Sequence, residues 1–486
     1  MQAAWPVSAV RRAEAALMAT LPGGALMERA AAGLATALAR DLGRSGGTYG
    51  RSVLLLVGPG NNGGDVLFAG ARLADRGARV SALLTDRGRA HPSGLAAFRA
   101  AGGLVLTSRA MRGPDLFASA DLVVDGLLGI GGVGGLRPPA DSWAEWAARA
   151  GVRVVAVDVP SGVDADTGAV DGAAVRADVT VTFGALKPGL LVGDGAERSG
   201  EVRLVDIGLG PHLNGPVIQV LEVEDVARAL ASPGPRDDKY TRGVVGVAAG
   251  SAQYTGAAVM CTGAALHGGA GMVRYAGAAA DAVRARWPEA VVTDRLEDAG
   301  RVQAWVVGPG LGTGPDAVRA LKHVLGSDVP VLVDADGITV LAQHRELLER
   351  RRAPTVLTPH DREFERIFGP VGPDRVGATA RAARASGAVV LLKGNATVVA
   401  GASSVFVNRT GTPWLATAGT GDVLSGLTGS ILARGAAPER AAALGAFVHG
   451  VAGQRAASDG PPSAGDVLAA LRPALETIAE GRRRRR

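Results

Sequence analysis

The amino-acid sequence predicts an α/β fold in two domains, the first of them doubly wound, on three observations. Short, β-branched apolar runs at 52–57 (SVLLLV), 122–125 (LVVD) and 152–157 (VRVVAV) lack polar alternation, as strands buried on both faces of a parallel sheet do. Amphipathic stretches of crossover-helix length, 66–76 and 93–101 among them, lie between these runs, which makes a βαβ alternation. After Asp206 the chain passes through two segments rich in turn-forming residues, IGLGPHLNGP and ASPGPRDDK, and a second series begins near Val244.

That second series has strand runs at 244–248, 305–307, 329–333, 355–357 and 389–392 and closes in helical segments at 421–434, 438–457 and 466–480. The boundary is placed in 208–235, giving domains of 1–215 and 216–486. No short internal repeat is present, which excludes a solenoid.

Composition narrows the class further. A chain of 486 residues exceeds one ordinary hydrophobic core, and with 47% hydrophobic and 20% charged residues it is a folded protein rather than a disordered one. The net charge of +6 is carried almost wholly by the terminal run Arg482 to Arg486, which reads as a solvated end and argues against specific nucleic-acid binding. Cys261, the single cysteine, rules out an internal disulfide and lies in an apolar stretch, so a buried small side chain in a reducing cytoplasm is expected. No run approaches the ~18 apolar residues of a membrane span.

In the first half, Gly58 to Asp65 (GPGNNGGD) follows a strand and opens a helix, where glycines admit a ligand and N–H groups face an anion. A tight turn also needs glycine, but Asn61, Asn62 and Asp65 are more polar groups than a turn requires. The spacing departs from G-x-G-x-x-G, which counts against hydride transfer. Asp125, Asp158 and Lys187 stand at three further strand ends, the edge on which parallel sheets bind ligands.

Together with DGLLGIGGVGG, DVPSGVDADTG and TFGALKPG, this segment resembles the NAD(P)H-hydrate epimerase domain, also called the YjeF N-terminal domain, over residues 8–210. The resemblance implies a Rossmann-like doubly wound domain. It further implies that Asn61, Asn62, Gly63, Gly64, Asp65, the loop Gly129, Ile130, Gly131, Gly132, Val133, Gly134, Gly135 and Asp158 bind the hydrated nucleotide, and that Asn62, Asp125 and Ser161 hold potassium. Relatives often read GTGL in the glycine loop; here it reads GIGGVGG, so a threonine contact there would be lost. Epimerisation at a carbon bearing a hydroxyl and a ring nitrogen needs a positioned acid, and Asp158, with Lys187 setting its charge environment, is the expected group.

In the second half, TAGTGDVLSG leads glycines into an apolar helix with Asp422 in its first turn, where an acid also serves as a dipole partner. With Lys393-Gly394 at a strand end and the TPHDREF turn, the arrangement suggests phosphoryl transfer: N–H groups of Gly419 to Gly421 hold the phosphate, Asp422 takes the proton and Lys393 neutralises charge. These motifs, with VGPGLG and VDADGITVL, resemble the ribokinase-like fold and the ADP- or ATP-dependent NAD(P)H-hydrate dehydratases over residues 237–480. The resemblance implies that Ala257, Gly310, His360 and Asp422 contact the hydrated nucleotide, and that Lys393, Gly394, Asn395, Ala396, Thr397 and Gly421 bind the adenine nucleotide. The fused order resembles bacterial bifunctional proteins, which use ADP, with magnesium accompanying it.

The expected partners are therefore hydrated NADH or NADPH and ADP, with no membrane, no specific nucleic acid and a homo-oligomeric state. Two rivals stay open at this point: a small-molecule kinase sharing the GTGD base, and a first half that only binds or scaffolds.

Overall fold

In a computed structural model of the chain, residues 1–43, 46–106, 113–230 and 232–483 are described. Arg484 to Arg486 of the terminal run lie outside them. The chain forms two compact units, Ala3–Val217 and a second comprising Met1–Gln2 with Ile218–Arg486.

Among the described residues, the first unit holds seven parallel strands in the order Leu104–Val105, Arg79–Leu84, Ser52–Val57, Leu122–Gly126, Val154–Val157, Val179–Phe183, Glu201–Val205. The missing alternation in SVLLLV has a simple cause. Val53, Leu55 and Val57 pack into one apolar cluster while Leu54 and Leu56 pack into another, so both faces of the strand are covered. Each fully buried Leu contributes about 2 kcal/mol of hydrophobic stabilisation. Strand order reverses between Ser52–Val57 and Leu122–Gly126, and a crevice opens there at the carboxyl ends.

The second unit repeats the logic. Its parallel strands run Thr355–Leu357, Val331–Val333, Ala304–Val307, Val244–Ala248, Met272–Ala276, Val291–Thr293, and Val389–Leu392 adds parallel beside Thr355–Leu357. Thr397–Ala400 and Val405–Asn408 continue it antiparallel. Order reverses here between Val244–Ala248 and Ala304–Val307. The closing helices are Thr420–Ala433, Pro438–Ala456 and Ala464–Arg483. Cys261 is fully buried in helix Thr255–His267.

One element differs from the sequence expectation in a way that matters for function. The helix expected at 66–76 begins at Asn61 and runs Asn61–Ala74, so NNGGD is helical rather than a loop ahead of the helix. Glycine-rich sequence reads as coil by propensity, yet tertiary packing selects helix here, because only a residue without Cβ fits. A Cβ on Gly63 would lie 2.1 Å from the Gly58 carbonyl oxygen, and one on Gly58 would lie 1.7 Å from that of Leu127. Gly58→Ala is expected to lower stability by ~1–3 kcal/mol through overpacking, measurable by denaturant unfolding; unchanged stability would show that the Leu127 backbone yields freely. Among the described residues, no helix is long and apolar enough to cross a membrane.

Candidate active sites

At the switch point of the first unit lies a cavity of about 1070 Å³, room for a dinucleotide. Asn61, Asn62, Asp65, Gly129, Ile130, Gly131, Gly132 and Asp158 line it. Gly63, Gly64, Val133, Gly134 and Gly135 are not among the lining residues. The two helical glycines instead let helix Asn61–Ala74 pack against its neighbours: a Cβ on Gly64 would meet the His91 ring at 2.9 Å.

Asp158 ends strand Val154–Val157 with φ of 68°, a left-handed conformation that costs a non-glycine residue of order 1 kcal/mol or more. The turn aims its carboxylate at Lys187, whose side chain is 1% exposed. Lys187 Nζ donates to Asp158 Oδ1 at 2.5 Å, to Thr182 Oγ1 at 2.9 Å and to the Phe183 carbonyl at 3.0 Å. All three ammonium protons are thereby used. Thr182 opens the TFGALKPG segment five residues before Lys187, yet as a threonine inside an apolar strand run it was not singled out as part of the site.

A second polar knot ties the two loops of the crevice together. Asp125 is fully buried; its Oδ1 lies 2.6 Å from Ser161 Oγ and its Oδ2 accepts the Ser161 N–H at 2.9 Å. The Leu128 N–H donates to Ser161 Oγ at 2.9 Å, and the Leu128 carbonyl accepts from Asn62 Nδ2 at 2.9 Å. Burial pushes the Asp125 carboxyl up to about 6 despite these hydrogen bonds. The structure therefore brings Asn62, Asp125 and Ser161 together around one carbonyl.

In the second unit the carboxyl ends of three adjacent strands converge below the glycine turn. Val331–Val333 delivers Asp334, Thr355–Leu357 delivers Thr358 to His360, and Val389–Leu392 delivers Lys393. Lys393 Nζ pairs with Asp334 Oδ1 at 2.8 Å and lies 3.8 Å from Glu363 Oε2, while Ser425 Oγ donates to Asp334 Oδ2 at 2.7 Å. A Cβ on Gly421 would sit 3.6 Å from Lys393 Nζ, which places that ammonium directly beside the helix N-terminus.

Asp422 stands third in helix Thr420–Ala433, after Gly419 in the left-handed conformation. Burial, then the charge of Asp334, push its carboxyl up to about 7, against the pull of Lys393. Burial pulls Lys393 down, but Asp334 and Glu363 outweigh it and the ammonium is raised. His360 caps helix Asp361–Phe368 in a reciprocal box with Glu363: its Nδ1 accepts the Glu363 N–H at 3.3 Å and its own N–H donates to Glu363 Oε2 at 2.9 Å. Half of its side chain stays exposed.

Ala257 and Gly310 meet at the switch point of this unit, where the Gly250 N–H donates to the Pro309 carbonyl at 2.7 Å. A Cβ on Gly310 would touch that of Ala257 at 2.7 Å. Thr397 Oγ1 reaches the Gly394 carbonyl at 3.3 Å, closing the turn Lys393 to Thr397. Asp334 and Ser425 were not singled out from the sequence. For Asp334 the signal existed: an acid at a strand end in VDADG, followed by Ala335 with φ of 51°, a second strained non-glycine residue at a site.

Comparison with known proteins places the two units in known company. Residues 23–189 match the family described as YjeF-related protein N-terminus, and residues 245–469 match NAD(P)H-hydrate dehydratase. The chain is 50% identical to the bifunctional NAD(P)H-hydrate repair enzyme Nnr of Mycobacterium leprae over 466 residues, 95% of each chain. It is 52% identical to the enzyme of the same name from Mycobacterium tuberculosis over 442 residues, 90% of this chain and 91% of that one. Among solved structures, a ribokinase-like superfamily protein from Enterococcus faecalis superposes with a TM-score of 0.50 at 25% identity, covering 55% of this chain and 99% of its own.

Proposed function

The chain belongs to the bifunctional NAD(P)H-hydrate repair enzymes, and from that premise we propose how its two sites divide the work. The first unit interconverts the R and S forms of hydrated NADH and NADPH. The second dehydrates the S form at the expense of ADP, giving AMP and phosphate. The observation that carries this reading is the presence, in one chain, of a buried Asp158–Lys187 pair facing a dinucleotide-sized cavity and of an Asp422 poised near neutrality beside Lys393.

In the first site, the helix N-terminus at Asn61 offers unpaired N–H groups to the pyrophosphate, and Asp158 exchanges a proton with the hydroxyl-bearing carbon's oxygen. Lys187 holds that carboxylate in place and balances its charge. Potassium fits the knot at Asp125: the buried carboxylate, Ser161 Oγ and the Leu128 carbonyl supply oxygen donors, and Asn62, whose amide nitrogen donates to that carbonyl, stands beside them. Bound there, the ion would supply the positive charge that this carboxylate lacks.

In the second site, hydroxide is a poor leaving group and phosphate a good one, so phosphorylation of the hydroxyl followed by elimination restores the dihydronicotinamide. Asp422 takes the hydroxyl proton, the N–H groups at Gly419 to Gly421 stabilise the phosphoryl oxygens, and Lys393 neutralises their charge. His360 and the Ala257–Gly310 contact flank the nicotinamide, and the turn Lys393 to Thr397 holds the adenine nucleotide. No cluster of three or more metal-ligating side chains occurs among the described residues, which suits magnesium that enters on the nucleotide's phosphates. The proposal includes a cytoplasmic setting and a homo-oligomeric state.

Because Asp422 acts unprotonated and is pushed up to about 7, dehydration should rise between about pH 6 and about pH 8 and then level off. A flat pH profile of kcat over that range would remove Asp422 as the base. The test of the whole reading is to incubate mixed hydrate epimers with the protein and follow reduced-nicotinamide absorbance with ADP, with ATP or with neither. Full recovery with ADP supports both activities. Recovery of one epimer only beyond the spontaneous rate reduces the first unit to a binding module, and a stable phosphorylated product would make the second unit a small-molecule kinase.

A further inference from the structure

The cavity of the first unit holds a carboxyl that neither motif contains. Helix Val7–Met18 turns two faces to the protein: Val10, Ala13 and Leu17 are buried in the core, while Arg11, Glu14 and Met18, spaced three and four apart, line the cavity. Glu14 is half-buried and makes no hydrogen bond or ion pair with the described residues. Arg11, one turn earlier on the helix, reaches away to the Ile130 carbonyl of the glycine loop at 3.4 Å.

Four carboxyls line this cavity; Glu28 is paired with Arg72, which leaves Glu14, Asp65 and Asp158 with one buried ammonium, Lys187, beside them. That ammonium is committed to Asp158 at 2.5 Å. Asp65, on helix Asn61–Ala74, likewise has no hydrogen-bond partner among the described residues, and it is flanked by both Asp158 and Glu14. Close like charges in a desolvated pocket cannot all be ionised, so the surplus is relieved by a retained proton. Burial, then Asp158, raise the Glu14 carboxyl against Lys187 and Arg11, while burial, then Asp158 and Glu14, push Asp65 well above the ordinary carboxylate range.

We propose that Glu14 is the second proton-handling carboxyl of epimerisation, working with Asp158 on opposite faces of the nicotinamide ring, with Asp65 keeping the surplus proton between them. This rests on the epimerase reading of the cavity. Inversion requires departure from one face and return to the other, and a single carboxyl reaches one face. Protonated Glu14 gives its proton to the hydroxyl oxygen; the C–O bond breaks with its electron pair on oxygen, water leaves, and the ring nitrogen's lone pair closes a C=N bond. Water then adds to the opposite face, a new C–O bond forms as the C=N pair returns to nitrogen, and Asp158 takes the released proton. The proton then passes from Asp158 back to Glu14 through solvent, which restores the starting state, so no outside reagent is consumed; the reverse direction exchanges the two roles, and the Glu14 carboxylate left by the first step favours the cationic intermediate.

The experiment measures interconversion of purified hydrate epimers by chromatography, without nucleotide, across the pH range for wild type, Glu14→Gln and Glu14→Asp. Glu14→Gln is expected to lower kcat at least about 100-fold with KM within a few-fold and to abolish one limb of the pH profile, and Glu14→Asp to recover part of the rate. A Glu14→Gln enzyme with wild-type kcat and pH profile overturns the proposal. So does loss of activity in both variants accompanied by a lowered unfolding temperature, which assigns Glu14 to structure. Wild-type protein that does not interconvert the epimers overturns the epimerase reading itself, a result distinguishable from either.

Discussion

Asp422→Asn is expected to lower nucleotide-dependent dehydration by roughly 100- to 10,000-fold while epimerisation continues at its usual rate. The amide keeps the shape of the carboxylate but cannot accept the proton of the attacking hydroxyl. Its removal of charge also relieves the repulsion between Asp422 and Asp334 that helps raise the wild-type carboxyl to about 7. The unfolding temperature of the second unit should therefore hold or rise as kcat collapses, which separates chemistry from folding. Recovery of reduced-nicotinamide absorbance with ADP, measured against a separate epimer assay, reads both numbers. Activity within tenfold of wild type would mean that another group takes the proton.

Lys187→Met should cost the first unit ~3–5 kcal/mol of stability, and epimerisation with it. The methionine fills the volume of the stem, but Asp158 then faces a buried pocket without its cation, and Thr182 Oγ1 and the Phe183 carbonyl lose a donor. Lys187→Arg should not restore function, because a planar fork cannot serve three acceptors arranged around a point charge. The double variant Lys187→Met with Asp158→Asn recovers much of the lost stability, since no uncompensated charge remains, yet stays inactive as an epimerase. Denaturant unfolding and epimer interconversion on the four proteins test this. A fully active Asp158→Asn with normal folding would end the role assigned to that carboxylate, and an unperturbed Lys187→Met would end the account of the pair.

How much of this was legible beforehand follows from what kind of signal each feature sends. Strands such as Ser52–Val57, Val244–Ala248, Thr355–Leu357 and Val389–Leu392 fall where their apolar runs end, because burial on both faces of a parallel sheet demands continuous hydrophobicity and glycine or polar residues stop it. Asp125, Asp158 and Lys393 were visible for the same reason: a charged group closing an apolar run stands at the edge where a parallel sheet binds ligands, whereas Lys187, expected at a strand end too, lies four residues past strand Val179–Phe183 and turns back to Asp158. Ordered motifs carried the likeness to a family because they are local in sequence.

What stayed hidden depends on neighbours brought from far away. That NNGGD is helical goes with close packing, the Gly58 carbonyl standing where a Cβ on Gly63 would be and the His91 ring beside Gly64, which the propensity of the segment does not show. Asp334 joined the second site because its strand and that of Lys393, one strand apart in the sheet, end on the same edge and put its carboxylate 2.8 Å from Lys393, fifty-nine residues on. Glu14 was not singled out from the sequence, because no motif contains it; only the cavity that its helix walls brings it beside Asp65 and Asp158. By itself, then, the sequence determined two α/β units, their strands and the strand-end groups that carry the chemistry, since those are set by local periodicity. Which carboxyls keep a proton was left to tertiary structure, because ionisation depends on burial and on charges that are close in space and distant along the chain.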